Sequence, residues 1–311
     1  MGSIAVTGSV AHDIIMVFGG RFADHILSDW AHILNVSFLV DRLERRRGGT
    51  AANIAYNLAL LGERPLLCAA VGNDFAEYGA ALSAAGVDTS GVLRCDDIST
   101  ATAFITTDVD GNQITAFFPG AMGRAAGVDL EALPGVDHVV VAPDAPDAMA
   151  LHVEQATRVG ARLVFAPAQQ LSSLPDQTLS AGLDAAWLVV GNDYELEVIH
   201  RRTGRGVEAL AAAGILVART RGREGSELYI GGAVHHVPVA SAAEVVDPTG
   251  AGDAYIAGLL AGLRAGRPAE VAGRMGALAA SYVIEHQGPQ SHQYTGEEFA
   301  TRYLAEFGEE L

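Results

Sequence analysis

The sequence predicts an α/β fold, a mostly parallel, helix-covered central sheet with a small β-sheet lid. Three observations carry this prediction. From residue 121 onward, apolar runs at residues 138–141, 163–165, 187–190 and 215–217 each precede a helical or polar stretch, the rhythm of strand–helix units that build a parallel sheet. Residues 13–47 and 96–120 interrupt that rhythm with aromatic, β-branched and charged residues. Although separate in sequence, they are alike enough to form one small sheet over the core. Finally, Gly48-Gly49-Thr50 and Gly250-Ala251-Gly252 each precede a stretch of helical character. The expected division is a core of residues 1–12, 48–95 and 121–311 and a lid of residues 13–47 and 96–120.

Taken in order, Ile4-Ala5-Val6 is a short strand ending at the turn Thr7-Gly8-Ser9. Residues 35–40 have strand composition. The first glycine pair opens a helix over residues 51–61 that Gly62 stops. Residues 66–71 read as one buried strand, and residues 75–85 as a helix ended by Gly86. Residues 102–118 carry Thr and Phe on both sides of the tight-turn dipeptide Asp110-Gly111 and predict a hairpin. A calcium loop through Asp108, Asp110 and Asn112 fails because its glycine comes too early. A second hairpin is expected from Leu228-Tyr229-Ile230 and residues 234–239, joined by Gly231-Gly232. Three helices starting near Ala251, Glu270 and Glu297 close the chain. No repeat, low-complexity tract or linker interrupts it.

The bulk properties narrow the function classes. A chain of 311 residues, half of them hydrophobic, can build a large core. Charged residues are only 18%, which argues against disorder. The net charge of −17 disfavours nucleic acid and anionic membrane as partners. It also means that an anionic substrate needs local donors. Cys68 and Cys95 make no disulfide framework, and Cys68 sits in an apolar run as a small hydrophobe. The first residues lack signal-peptide character, and no apolar run is long enough to span a bilayer. A cytoplasmic protein is expected.

The segment Asp247-Pro248-Thr249-Gly250-Ala251-Gly252-Asp253 carries the most chemistry. A glycine turn at a helix start offers free backbone N–H groups and the positive end of a helix dipole, a site for a phosphoryl group. Asp253, at the helix entrance, is placed to take a proton from an attacking hydroxyl; as a plain first-turn acid it would only cap the helix. In Arg47-Gly48-Gly49-Thr50-Ala51-Ala52-Asn53, the glycines let a ligand approach the backbone and Asn53 could bond a hydroxyl, unless this is an ordinary loop–helix junction. Asp13, after the first turn, could accept from a vicinal diol or be a solvated loop acid. Asn192 and Glu195 follow the strand at 187–190; they suit water-mediated Mg²⁺, an N-terminal capping box, or both. Gly222 and Gly225 could let a nucleotide lie on the backbone or could form a surface turn. Arg42, Arg45, Arg46 and Arg47 are the densest positive patch, ordinarily solvated, although Arg47 is near enough to the glycine pair to meet a phosphate. Zinc-pair histidine spacing, the Gly-x-Ser-x-Gly elbow, the Gly-x-x-x-x-Gly-Lys-Ser/Thr loop and a Gly-x-Gly-x-x-Gly after the first strand are all absent.

Together these segments resemble the ribokinase-like (PfkB) carbohydrate and nucleoside kinase family along nearly the whole chain. The two glycine segments match the family's N- and C-terminal signatures, and residues 192–195 match its Asn-x-x-Glu motif. The resemblance implies a ribokinase-like fold, with Asp253 as base and the amides of Gly250, Ala251 and Gly252 as an anion hole. It implies Asp13, Gly49 and Asn53 on the sugar hydroxyls, and Asn192 and Glu195 holding Mg²⁺ through water. Asn192, Thr220, Gly222 and Gly225 would line ATP. Many members use a monovalent cation such as K⁺ near the anion hole. Within the family, Ser9, Ser37, Phe117 and Gln170 lie in stretches similar to actinobacterial-type adenosine kinases; there Ser9 and Ser37 would line the nucleoside site and Phe117 would stack on a base. Ala103 stands where those kinases carry a second stacking aromatic, with Phe104 one place along. Residues 166–168 and Ile256 also depart from their pattern.

The expected activity is ATP-dependent phosphorylation of a primary hydroxyl of a ribonucleoside. One alternative is a free-sugar kinase acting on ribose, fructose or a related sugar. Another, of a different class, is a non-catalytic nucleotide- or sugar-binding regulator. An open lid sheet with an apolar face pairs readily with a second copy, so a homodimer through the lid is expected.

Overall fold

The computed structural model describes residues 2–25 and 35–311. Residues 26–34, part of the first expected lid stretch, lie outside the described residues. The elements run β1 (Ser3–Thr7), β2 (Ala11–Phe18), β3 (Val40–Gly48), α1 (Thr50–Leu60), β4 (Leu66–Cys68), β5 (Ala70–Gly72), α2 (Ala76–Ala84), β6 (Leu93–Cys95), β7 (Ala101–Thr107), β8 (Gln113–Phe118) and β9 (Val136–Val141). They continue through α3 (Pro146–Arg158), β10 (Arg162–Phe165), α4 (Asp176–Ala185), β11 (Ala186–Asn192), α5 (Asp193–Thr203), α6 (Val207–Ala212), β12 (Leu216–Thr220), β13 (Ser226–Ile230), β14 (Ala233–Val237), α7 (Ala251–Arg264), α8 (Ala269–Ile284) and α9 (Gly296–Phe307).

The central sheet has the order β14-β13-β12-β11-β10-β9-β1-β4. It is parallel from β12 to β4, and the hairpin of β13 and β14 adds an antiparallel edge. Alternating residues feed opposite layers. Val140 packs with α1, α7, α8 and α9, whereas Val139 and Val141 pack with α3 to α6. Near-continuous apolar strands are what a sheet covered on both faces requires.

A separate sheet has the order β3-β2-β7-β8. Its β7–β8 hairpin is tied at the tip by Asp108, which accepts from the N–H groups of Asp110 and Asn112 and from that of Phe22 in the neighbouring connection. Cross-strand register fixes its faces. Asp13 pairs with Arg46 on one side and Ala103 on the other, and Ala103 pairs with Phe117, so these four share one face. Ile14, Phe104 and Ala116 share the opposite face.

Two expectations need correction. The residues 35–39 are coil, and the strand begins at Val40, running through the arginine-rich stretch instead. The apolar run 66–71 is two strands, because it changes partner at Ala69: β4 pairs with β1 and β5 pairs with β6. No helix among the described residues is long and apolar enough to cross a membrane.

Candidate active site

Two adjoining cavities lie at the carboxyl ends of the parallel strands, where open α/β sheets hold ligands. The larger, about 450 Å³, lies between the two sheets and is lined by Ser9, Asp13, Gly49, Asn53, Phe117, Asp144, Gln170 and the α7 entrance. The smaller, about 110 Å³, is lined by Asn192, Glu195 and Thr220. Gly252 and Asp253 line both.

Local geometry accounts for this convergence. Gly49 has φ +93°, and a Cβ there would lie 2.6 Å from Ala11 N and Ser9 O. Only glycine lets the start of α1 approach the end of β1 so closely. The Ser9 hydroxyl then accepts from Thr50 N–H at 3.1 Å, so Ser9 caps α1 as well as lining the cavity. At the other helix, Gly250 has φ +84°, and any Cβ would strike Pro289. Gly252, in contrast, has open space where a Cβ would stand.

The α7 entrance has the donors an anion needs. The N–H groups of Gly250, Gly252 and Asp253 have no backbone partner among the described residues, whereas that of Ala251 bonds Pro248 O at 3.2 Å. Of the expected set Gly250, Ala251 and Gly252, the Ala251 N–H is thus engaged within the turn here, and the Asp253 N–H beside them is open. Asn53 Nδ2 donates to Asp253 Oδ2 at 2.8 Å. Burial raises the Asp253 carboxyl to about 7, opposed by the Asn53 bond and reinforced by the Glu195 carboxylate. That range suits a general base.

Asn192 and Glu195 form a capping box at the start of α5: Asn192 Oδ1 accepts from Glu195 N–H at 2.8 Å, and Glu195 Oε2 accepts from Asn192 N–H at 2.9 Å. One oxygen on each side chain is thus committed to the helix. Among the described residues no three His, Cys, Asp or Glu side chains converge as a metal cage. A single carboxylate beside a phosphate cradle suits Mg²⁺ that keeps most of its waters.

Asp13 lines the larger cavity, its carboxyl raised to about 6 by burial, against the pull of Arg46 and with a push from Asp247. Phe117 stands half-exposed over the same cavity, and Ala103 beside it leaves no second aromatic at that place. Ser37 is exposed in the coil before β3, outside both cavities. Gly222 and Gly225 also lie outside their linings. Gly225 is required by the chain itself, since at φ +87° a Cβ would strike Val237 O.

Sequence reasoning missed Asp144 and Gln290. Asp144 follows β9 and lines the larger cavity, with Oδ1 accepting from Ala145 N–H and Oδ2 unpartnered. Burial raises it to about 8. Its one signal was an acid just past a buried apolar run. Gln290 is buried in the loop between α8 and α9 and bonds Asn53; its setting, Gly-Pro-Gln-Ser, gives no periodic or motif signal.

Residues 14–295 match the model of the pfkB family of carbohydrate kinases. The chain belongs to this family. It is a kinase, a phosphotransferase with an alcohol acceptor. Among its relatives is the nucleoside kinase of Methanothermobacter thermautotrophicus, 32% identical over 281 residues that span 89% of this chain and 90% of the relative. The Burkholderia thailandensis nucleoside kinase, solved in complex with inosine, is 35% identical and superposes with a TM-score of 0.89 over 99% of each chain. The Methanocaldococcus jannaschii nucleoside kinase is 26% identical, with a TM-score of 0.89 over 98% of this chain and 99% of that one. As a PfkB kinase the protein takes ATP as donor, typically with Mg²⁺. The open space at Gly252 and the unpaired N–H groups around it fit a phosphoryl group.

Proposed function

We propose that this PfkB kinase phosphorylates the primary 5′-hydroxyl of a ribonucleoside. The observation that carries the reading is Phe117, an aromatic side chain half-exposed over a cavity that also holds Asp13 and Asp253. A planar base stacks across the whole face of such a platform, whereas a free sugar can offer it only C–H edges. The relatives' nucleoside kinase names, at 32% and 35% identity across most of the chain, support the same acceptor class.

In this reading Asp13 accepts from the ribose diol, with Gly49 leaving room at the backbone, Ser9 and Gln170 lining the nucleoside side, and Ser37, outside the cavity here, joining them as the small sheet closes. Asn53 gives its second Nδ2 hydrogen to a sugar hydroxyl while the first stays on Asp253. Asp253 takes the proton of the 5′-hydroxyl as that oxygen attacks. The amides of Gly250, Gly252 and Asp253 face the charge that develops on the moving phosphoryl group. ATP supplies that group, and Mg²⁺ neutralises its charge. Asn192, Thr220, Gly222 and Gly225 flank ATP, and Glu195 holds the Mg²⁺ waters. Closure of the small sheet of β2, β3, β7 and β8, largely within the expected lid stretches, over the core excludes water during transfer. A monovalent cation such as K⁺ near the anion hole completes the cofactor set.

The small sheet's outer face carries Leu43, Phe104, Ile114 and Phe118 exposed, and we assign it to a homodimer through the lid. Two unpaired cysteines and use of ATP fit the cytoplasm. ADP release with ATP and Mg²⁺, measured over a panel of nucleosides and free sugars, tests the acceptor. Turnover with nucleosides well above that with ribose and fructose is expected. The reverse order would move the protein to the free-sugar kinases, and binding without ADP formation to the non-catalytic class.

A further inference from the structure

A chain of hydrogen bonds runs behind the candidate base, and its direction is fixed at one end. The Gly48 carbonyl can only accept, so the Tyr78 hydroxyl donates to it, at 2.8 Å. That hydroxyl must therefore accept from the Gln290 amide, whose Nε2 lies 2.6 Å away. The second hydrogen on the same Nε2 points to Asn53 Oδ1 at 2.8 Å. With its oxygen so occupied, Asn53 can present only its Nδ2 to Asp253 Oδ2. Tyr78 and Gln290 are buried, so water does not compete for these bonds. Asn57 Nδ2 also donates to the Asn53 carbonyl, pinning the backbone of that turn at 2.9 Å.

We propose that Gln290 is a positioning residue that sets the orientation of the Asn53 amide, so that Asn53 donates to Asp253 and holds its carboxylate ionised and aimed at the acceptor site. Without this relay Asn53 could rotate by half a turn and set an oxygen against the carboxylate. The inference rests on Asp253 being the base. The charged and titratable groups around the relay are Glu195 of α5, which pushes Asp253 up, Asp13 of β2 and Asp144 after β9 in the larger cavity, His12 of β2 against the Tyr78 ring, and Arg45, Arg46 and Arg47 of β3 with Asp74 and Glu77 in the cavity that Tyr78 and Gln290 line.

Gln290→Glu tests it with almost no change of shape. An ionised carboxylate can only accept, so it reverses the relay and draws the Asn53 Nδ2 away from Asp253; its charge also raises Asp253, and the neutral Gln290→Met, which must shift the limb the same way, separates the relay from the charge. The expected result is a fall in kcat with the acidic limb of the kcat–pH profile raised by about half to one pH unit, as for one hydrogen bond lost to the base. The KM for ATP should not change. Tyr78→Phe, which removes only the far anchor, should shift the limb in the same direction by less. If Gln290→Glu does not fold, Gln290→Met gives the same reading with both donors gone. A wild-type pH profile in a folded Gln290 variant, alongside an inactive Asp253→Asn, overturns the relay and leaves the base in place. Near-normal turnover of Asp253→Asn removes the base assignment, and the relay with it.

Discussion

At the scale of the residue, the larger cavity gathers three carboxyls that burial raises: Asp13 to about 6, Asp253 to about 7 and Asp144 to about 8. They differ in what opposes burial, which is a guanidinium for Asp13, an amide for Asp253 and one backbone N–H for Asp144. A base must be ionised to act, so turnover should fall as pH drops through about 7. Asp253→Asn should lower kcat by about 10²–10⁴-fold while titration calorimetry still detects nucleoside binding. Asp144 makes a separate prediction about stability. Its ordinary value is 3.8 and its folded value about 8, so between these the folded chain keeps a proton that the unfolded chain has released. Stability from this group is therefore lost as pH rises through that window. Asp144→Asn, which cannot ionise, should melt at a higher temperature than the wild type at pH 8, with the difference closing towards pH 4. Equal melting curves at pH 8 would show that Asp144 is ionised in the folded chain at no cost.

At the scale of the element, the glycine-opened helices were legible because their signals are local. The positive φ of Gly49 and the capping box of α5 need only neighbouring residues to be read. Gly49→Ala combines a strained φ with contact against the backbone of residues 9–11, and should cost about 1–3 kcal/mol in urea unfolding. Gly111→Ala, at a comparable φ but with open space around it, should cost less. Equal losses would mean that φ alone decides. Elements fixed by their partners were not legible. Nothing in the apolar run 66–71 reveals that β4 and β5 join different sheets. The charges of β3 lack clean alternation, because Arg45 and Arg46 both face groups of the same molecule, Asp74 on one side and Asp247 on the other. The candidate site shows the same division: Asp253 stood out as a candidate base within its own segment, whereas Gln290 acquires meaning only where a loop meets α1 and α2.

At the scale of the whole molecule, the proposed acceptor cavity depends on how the small sheet sits on the core, and Arg46 ties the two. It projects from β3 and reaches Asp247, 3.4 Å away, just before the proposed anion-binding turn. Burial works against ionisation of Asp247, yet bonds from Thr249 and Gly288 and the charge of Arg46 hold its carboxyl below the usual range. The same guanidinium is what restrains Asp13 from rising further. Arg46→Ala therefore acts twice on the acceptor side: it loosens the small sheet from the turn and leaves Asp13 more protonated at neutral pH. The nucleoside KM should rise about twofold to tenfold, most at the acidic end, because a protonated Asp13 accepts fewer hydroxyl bonds. The ATP KM should stay within about twofold, since the donors at Gly250, Gly252 and Asp253 belong to the core. Initial rates with each substrate varied between pH 6 and pH 9 separate these effects. An equal rise in both KM values would place the Arg46–Asp247 link in the phosphate cradle rather than in the closure of the sheet over the acceptor.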